Sequence, residues 1–238
     1  MDFSLRSYRK ELLDRDDIPF ADIKQNMKEL DIINANLGGH KITLRGLRAL
    51  LQKIGDIMIR DGESILILEI GCGGGDNLRV IKSYCQKKMI KVKLHGVDIN
   101  PNCIDFAKSR RENQGIEFTT SDYRLLSLAC KPDIIFCSLF CHHFDDEEVV
   151  RIFKWMKNNS KLGFFINDLH RHPVAYYSIK WLTKIFSNSY LVKNDAPLSV
   201  LRGFKRNELE RMLEQSCTTN AKTSWQWAFR WLIVAWNE

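Results

Sequence analysis

The sequence predicts an α/β protein with a mostly parallel sheet closed by an antiparallel C-terminal strand. Three observations predict it. From Glu63 onward, short apolar runs alternate with amphipathic helical stretches. A glycine-rich turn follows the first of those runs and opens a helix. The last two apolar runs are too close together for a crossover helix and suit a hairpin.

The elements follow in order. The first sixty residues read as helices. Leu5, Leu12 and Leu13 share one face of the first. Ile23, Met27, Leu30 and Ile33 recur at helical spacing on the second, which Gly38-Gly39 stops. Leu44, Leu47, Leu50, Leu51 and Ile54 form the buried side of a third. Ser64 to Ile70 is then a buried strand, and Leu78 to Cys85 lies on the helix after it. Lys91 to Val97 is the second strand, with Pro101 to Arg111 as its helix and proline at an N-terminal position. Ile116 to Thr119, Asp133 to Cys137 and Gly163 to Asn167 are further strands, and Glu147 to Met156 is a helix. Alternation of this kind implies right-handed crossovers and a sheet covered on both faces. An aromatic helical insertion runs from Pro173 to Gly203. Lys205 to Gln215 is helical, and Ala221 to Trp227 and Phe229 to Trp236 are the hairpin strands. The expected division is an N-terminal helical cap, 1–60, and an α/β domain, 61–238, with a lid at about 173–203.

Composition sets the outer bounds. The chain has 238 residues, 45% of them hydrophobic, enough for one α/β domain with a modest extra segment. A net charge of +7 favours acidic partners, but the basic residues are dispersed and form no block. Seven cysteines show neither a CxxC pair nor zinc spacing, which implies reduced thiols, a cytoplasmic location and no metal. The charged N-terminus is unlike a signal peptide, and no apolar run is long enough to span a bilayer.

Glu69-Ile70-Gly71-Cys72-Gly73-Gly74-Gly75-Asp76 is the strongest motif. Glycines let the chain turn sharply and let a ligand approach the backbone. A phosphate-binding loop wants a small residue at the sixth position of Gly-x-Gly-x-x-Gly, where Asp76 stands and would repel a pyrophosphate. Asp98 ends the second strand, where a carboxylate can accept both ribose hydroxyls of an adenosine. Ile99 follows, placed to lie against adenine. Ser121-Asp122-Tyr123 follows the third strand, with Asp122 placed to accept from the adenine amine. Each alone has a plainer reading as a turn or a helix cap. Their order after three successive strands points to a nucleoside cofactor.

This set resembles the first three motifs of class I S-adenosylmethionine (SAM)-dependent methyltransferases, over roughly Glu63 to Glu238. The resemblance implies a Rossmann-like fold with seven strands and SAM as cofactor, with S-adenosylhomocysteine (SAH) as its product. It implies Gly71, Gly73 and Gly75 beside the methionine part, with Glu69 near its amino group, Asp98 on the ribose, and Asp122 with Tyr123 near the adenine; Cys72 and Ile99 complete the expected cofactor set. Ser138, at the end of the fourth strand, borders the same site.

The acceptor side draws on two clusters at strand ends. Ser138 to Asp146 carries His142 and His143, and Asp168 to Pro173 carries His170, Arg171 and His172. A phenol, enol or carboxylic acid must lose a proton to become a good nucleophile, and imidazole takes one near neutral pH. His143, His142 and His170 are therefore the candidate bases. Capping or core packing is the plainer role for each. Asp168 is placed to orient a histidine. Arg171 is placed to hold a substrate oxygen or, more simply, to pair with Asp168. Tyr176, Tyr177, Ser199 and Arg202 in the insertion complete the candidate substrate residues. Packing of that insertion against the N-terminal helices is the rival explanation.

The segment ending Asn36-Leu37-Gly38-Gly39, Asp168-x-His170-Arg171-x-Pro173 and Asp195-x-x-x-Ser199-x-x-Arg202-Gly203-Phe204 together resemble bacterial methyltransferases associated with type III polyketide synthases. That resemblance implies O-methylation of a phenolic or related polyketide; a fatty acid, a quinone precursor or another lipid-like acid is equally open. The expected partner is a small apolar or aromatic acidic molecule, and a homodimer is compatible with the sequence. An RNA methyltransferase lacks support, because neither an Asn/Asp-Pro-Pro-aromatic motif nor a Pro-Cys dipeptide is present. A nicotinamide dehydrogenase is disfavoured by the loop spacing. A non-catalytic SAM-binding subunit is the third alternative.

Overall fold

The fold was read from a computed structural model that describes residues 2–15, 17–60, 64–128 and 130–237, with the side chains of 54–60 outside the description. The expected place of Ile54 and the boundary near Glu63 therefore lie outside the described residues. Seven strands form one sheet in the order β3-β2-β1-β4-β5-β7-β6. They are β1 (Ile65–Ile70), β2 (Val92–Asp98), β3 (Glu117–Thr120), β4 (Ile134–Ser138), β5 (Gly163–Leu169), β6 (Ala221–Gln226) and β7 (Arg230–Trp236). The first five are parallel, and β7 runs antiparallel between β5 and β6. This is the predicted sheet, with strand ends within two residues of their expected positions.

Strand alternation builds two cores. Ile65 and Ile67 of β1 and Ile134 and Phe136 of β4 face one side; Leu68, Ile70, Ile135 and Cys137 face the other. The first side is covered by α2 (Gly39–Arg60) and α3 (Asp76–Lys87), with Ile42, Leu47 and Leu50 against Phe165, Leu232 and Val234. The second is covered by α5 (Asp146–Asn159) and α8 (Arg206–Gln215), through Val149, Ile152, Phe153, Leu209 and Met212. Helix α4 (Pro101–Ser109) is capped by the Asn100 side chain, which accepts from Asn102 N at 2.9 Å.

The N-terminal sixty residues depart from the expected cap. Helix α2 is a layer of the main core, because its Ile42-Leu47-Leu50 stripe finds the apolar face of β5 and β7. Only α1 (Phe20–Asn36) and the segment before it lie over the cofactor edge, with Ile23 and Met27 packed on Cys103 and Phe106 of α4. Residues 2–11 form no helix, Leu12–Asp14 make a single 3-10 turn, and Leu5 is exposed. Their polar groups find partners elsewhere in the chain: Ser7 N donates to Leu201 O, and Leu12 N and Leu13 N donate to the two Asp195 oxygens at 2.9 and 3.0 Å. The insertion is a helical pair, α6 (Pro173–Phe186) and α7 (Tyr190–Arg202). It packs against the N-terminal strap, as the rival explanation expected.

Candidate functional site

The strand order reverses between β1 and β4, and an open parallel sheet binds ligands outside the carboxyl ends of its strands at that reversal. The glycine turn leaves β1 there. Gly71, Gly73 and Gly75 all have positive φ, at 66°, 49° and 74°, a region that side-chain-bearing residues rarely adopt. Gly71 is further constrained by space, since a Cβ there would lie 2.1 Å from Cδ2 of Phe140. Met27 of α1 covers Gly73 and Gly74. Phe140 and Met27 thus wall the turn on its two sides.

Asp98 braces this turn from the neighbouring strand. Its Oδ2 accepts from Gly73 N and its Oδ1 from Asn100 N, both at 2.9 Å. Burial raises its carboxyl above the ordinary range, against the pull of those backbone N–H groups. Each oxygen keeps one further lone-pair site for an incoming hydroxyl. Ile99 beside it is largely exposed, at 71%. Glu69 lies fully buried under the turn. Asn77 Nδ2 donates to its Oε1 at 3.1 Å, while Oε2 has no partner among the described residues. Burial first, then the charges of Asp76 and Asp98, push its carboxyl well above the usual carboxylate range. An orphaned buried acceptor beside a glycine cradle fits an ammonium-bearing ligand.

Asp76 is engaged from outside the turn. Although burial opposes it, hydrogen bonds from His40 at 2.7 Å and Asn34 at 3.1 Å hold its carboxyl below the ordinary value. Asn34 in turn accepts from the buried Arg230, whose guanidinium burial lowers to about 10. Asp122 caps a short turn and pairs with Arg124. Tyr123 is buried, donating to Glu148 at 3.2 Å and packing edge-on against Phe140 and Trp155. Cys72 is buried in the main core. Ser138 Oγ accepts from Asn167 at 3.2 Å.

On the acceptor side the structure joins His142 to Asp168. His142 Nδ1 lies 2.7 Å from Asp168 Oδ1, and both side chains are 2% exposed. Full burial works against it, yet the electrostatic interaction and the hydrogen bond with His142 hold the Asp168 carboxyl below the ordinary range. The other ring nitrogen, Nε2, faces Glu11 Oε1 at 3.6 Å. His143 pairs with Asp14 at 3.1 Å. Against desolvation, that hydrogen bond and the Glu11 charge raise its imidazole above the ordinary value. Ser199 donates to Glu11 at 2.7 Å, and Arg202 Nε donates to His142 O at 2.9 Å. His142, His143, Ser199 and Arg202 are therefore brought together around Glu11.

Four proposed residues do not join them. His170 Nδ1 accepts from Trp225 at 3.3 Å, and its ring packs on Trp231; burial, then the neighbouring His172 and Arg171 charges, lower it to about 4. Arg171 is fully buried, bound to Glu208 and to the carbonyls of Phe3, Ser4 and Gly203, so it ties the strap to α8. Asp168 pairs with His142, not with Arg171. Tyr176 is buried and Tyr177 exposed, both against Phe3.

Glu11, Asp14, Asn34, His40 and Phe140 escaped the sequence reading. The first four sit in segments read only as helices, and Phe140 was noted only as part of a run. Glu11 with His142 and His143, and Asp31 with His40 and Asp76, are groups whose potential ligand atoms converge within 4.8 Å. In both, the carboxylates already accept from protein donors: Ser199 on Glu11, Arg79 on Asp31, and Asn34 on Asp76.

Residues 67–163 match the family model described as a methyltransferase domain. Among solved structures the chain is similar to a SAM-dependent methyltransferase from Aquifex aeolicus, at 15% identity and a TM-score of 0.60, covering 90% of this chain and 97% of that one. The fold is that of a class I methyltransferase. The same fold is shared with the plantazolicin methyltransferase BpumL in complex with SAH, at 20% identity and a TM-score of 0.54, covering 85% of this chain and 82% of that one. It is shared also with magnesium protoporphyrin IX methyltransferase from Synechocystis PCC 6803 with bound SAH, at 15% identity, a TM-score of 0.50 and coverage of 83% and 86%. No curated protein is detectably similar in sequence. In this methyltransferase fold the His142–Asp168 pair stands at the ends of β4 and β5, beside the crevice that the glycine turn borders. No helix among the described residues is long and apolar enough to cross a membrane.

Proposed function

We propose that this protein transfers a methyl group from SAM to an oxygen of a small organic acceptor, with His142 as the base and Asp168 as its positioning partner. The single observation that carries the reading is the presence of two sites side by side at the carboxyl ends of the parallel strands. One is the Asp98-braced glycine turn over the orphaned Glu69 oxygen; the other is the buried His142–Asp168 pair. SAM supplies a methyl already activated on a sulfonium, so the protein's work is alignment and proton removal.

Glu69 Oε2 receives the ammonium of the methionine part, and Asp98 uses its free lone pairs on the ribose hydroxyls. Asp168 accepts the Nδ1 proton of His142, which leaves Nε2 as the basic nitrogen and stabilises the ring once charged. Nε2 points at Glu11 and the strap, so the acceptor enters between His142 and Glu11. Apolar walls from Phe140 and Phe144 favour a phenolic, polyketide or other apolar carboxylic-acid acceptor. Helix α1 and residues 2–15 cover the two half-sites, and entry requires that they move.

Calorimetry with SAM and SAH tests the first half-site. A screen of phenols, polyketides and fatty acids with methyl-labelled SAM tests the second, with His142→Ala as the control that keeps cofactor affinity. Absence of SAM and SAH binding to folded protein at millimolar concentration overturns the reading.

A further inference from the structure

A helix that covers a core turns polar residues to solvent. Helix α6 does not. Its Ala175, Tyr176 and Thr183 are buried, yet Val174, Tyr177, Trp181 and Ile185 form a second stripe on the outward face, exposed by 53, 59, 65 and 51%. Phe186, at the helix end, is 75% exposed. Lys180 and Lys184 flank the stripe on one side.

The apolar surface continues past the helix. His172, the N-cap of α6, stacks on Phe229 at 4.9 Å, and Phe229 lies 6.2 and 6.4 Å from Trp225 and Trp227 on the β6–β7 hairpin. Those tryptophans are 47% and 68% exposed. Phe3 extends the surface on the other side, 6.4 Å from Tyr177. The helix and the hairpin themselves carry charge of one sign, and Glu29, which meets the end of α6, is taken up by Ser187 Oγ and the N–H groups of Asn188 and Ser189. No Asp or Glu occurs from residue 169 to 194, or from 215 to 237, whereas Lys180, Lys184, Lys193 and Lys222 fall in those segments.

We infer that this face docks the protein on an anionic lipid surface, with α6 lying in the plane of the interface. Tryptophan and tyrosine favour the headgroup level, aliphatic side chains enter the acyl boundary, and flanking lysines meet the lipid charge. A bilayer carrying phosphatidylglycerol is complementary to such a face. A second copy of this chain is less complementary, because α6 itself offers no carboxylate to meet Lys180 and Lys184. The inference stands on the surface alone and is independent of the cofactor reading.

Co-sedimentation of the full chain with vesicles of phosphatidylcholine, with and without phosphatidylglycerol, tests it. Binding is expected to the anionic vesicles, weakening as salt is raised, with a blue shift of tryptophan emission. Trp181→Ser, and Lys180→Glu combined with Lys184→Glu, should each lower partitioning, the charge reversal by at least about tenfold, with thermal melting unchanged. Folded wild-type protein that stays in the supernatant, or binding that survives both variants, overturns the inference. So does a concentration-dependent dimer in sedimentation velocity that Trp181→Ser dissociates while vesicles bind nothing, which assigns the face to a second copy.

Discussion

Replacing Asp98 by Asn isolates the group on which the proposed cofactor binding turns. The carboxylate offers about four lone-pair sites, and two are taken by the N–H groups of Gly73 and Asn100 at 2.9 Å each. The remaining two, one on each oxygen, are those a ribose diol would use. An amide keeps only one oxygen, which can serve one backbone N–H and one hydroxyl. Its NH2 then faces the other backbone donor. One charged hydrogen bond to the ligand, worth about 1.5–3 kcal/mol, is lost, and the surviving one becomes neutral, at a cost of roughly 1 kcal/mol. The sum, about 2.5–4 kcal/mol, corresponds to a rise in Kd of roughly a hundredfold to a thousandfold. Facing donors also destabilise the fold by about 1–3 kcal/mol, so calorimetry with SAH must be run well below the variant's own melting transition. A folded Asp98→Asn protein whose Kd changes less than threefold would refute the assignment of this carboxylate.

Further tests follow from the same geometry. Gly71→Ala forces a φ of 66° on a residue with a Cβ and drives that atom to 2.1 Å from Phe140. A loss of about 2–4 kcal/mol in chemical denaturation is expected, and a loss under 0.5 kcal/mol would mean that Phe140 yields freely. Glu69 carries a raised folded pKa, so the native state holds its proton more tightly than the unfolded chain does. Its contribution to stability therefore falls as pH rises above about 4.3, until the folded pKa is passed. Glu69→Gln should flatten that part of the stability–pH curve of the ligand-free protein. It should also remove the proton release that accompanies SAM binding, measured by calorimetry in two buffers. Asp168→Asn should leave SAH affinity unchanged and slow methyl transfer to the acceptor found by screening by about 10²-fold or more; wild-type turnover would move the base elsewhere.

The sequence by itself determined the sheet and the place of the proposed cofactor half-site on it. Short apolar runs, a glycine turn after the first and acids at the ends of the second and third are local signals, and each is written within a few residues. The covering layers were legible too, because α3, α5 and α8 each carry one apolar stripe. What only the tertiary structure decided is which distant groups share a charge. Asp168 was legible as a histidine's partner, but three nearby histidines competed for it. The chain path at the ends of β4 and β5 chose His142, while Trp225 and Trp231 took His170 and Glu208 took Arg171. Glu11 and Asp14 lie more than a hundred residues from the histidines they face, in a segment whose leucines suggested a helix. Its backbone donors found Asp195 and Leu201, so the strap keeps only a single 3-10 turn, Leu12–Asp14, and carries its acids to the acceptor side. Periodicity records which face of an element is buried. It holds no information on which buried polar group, contributed by another part of the chain, will be waiting there.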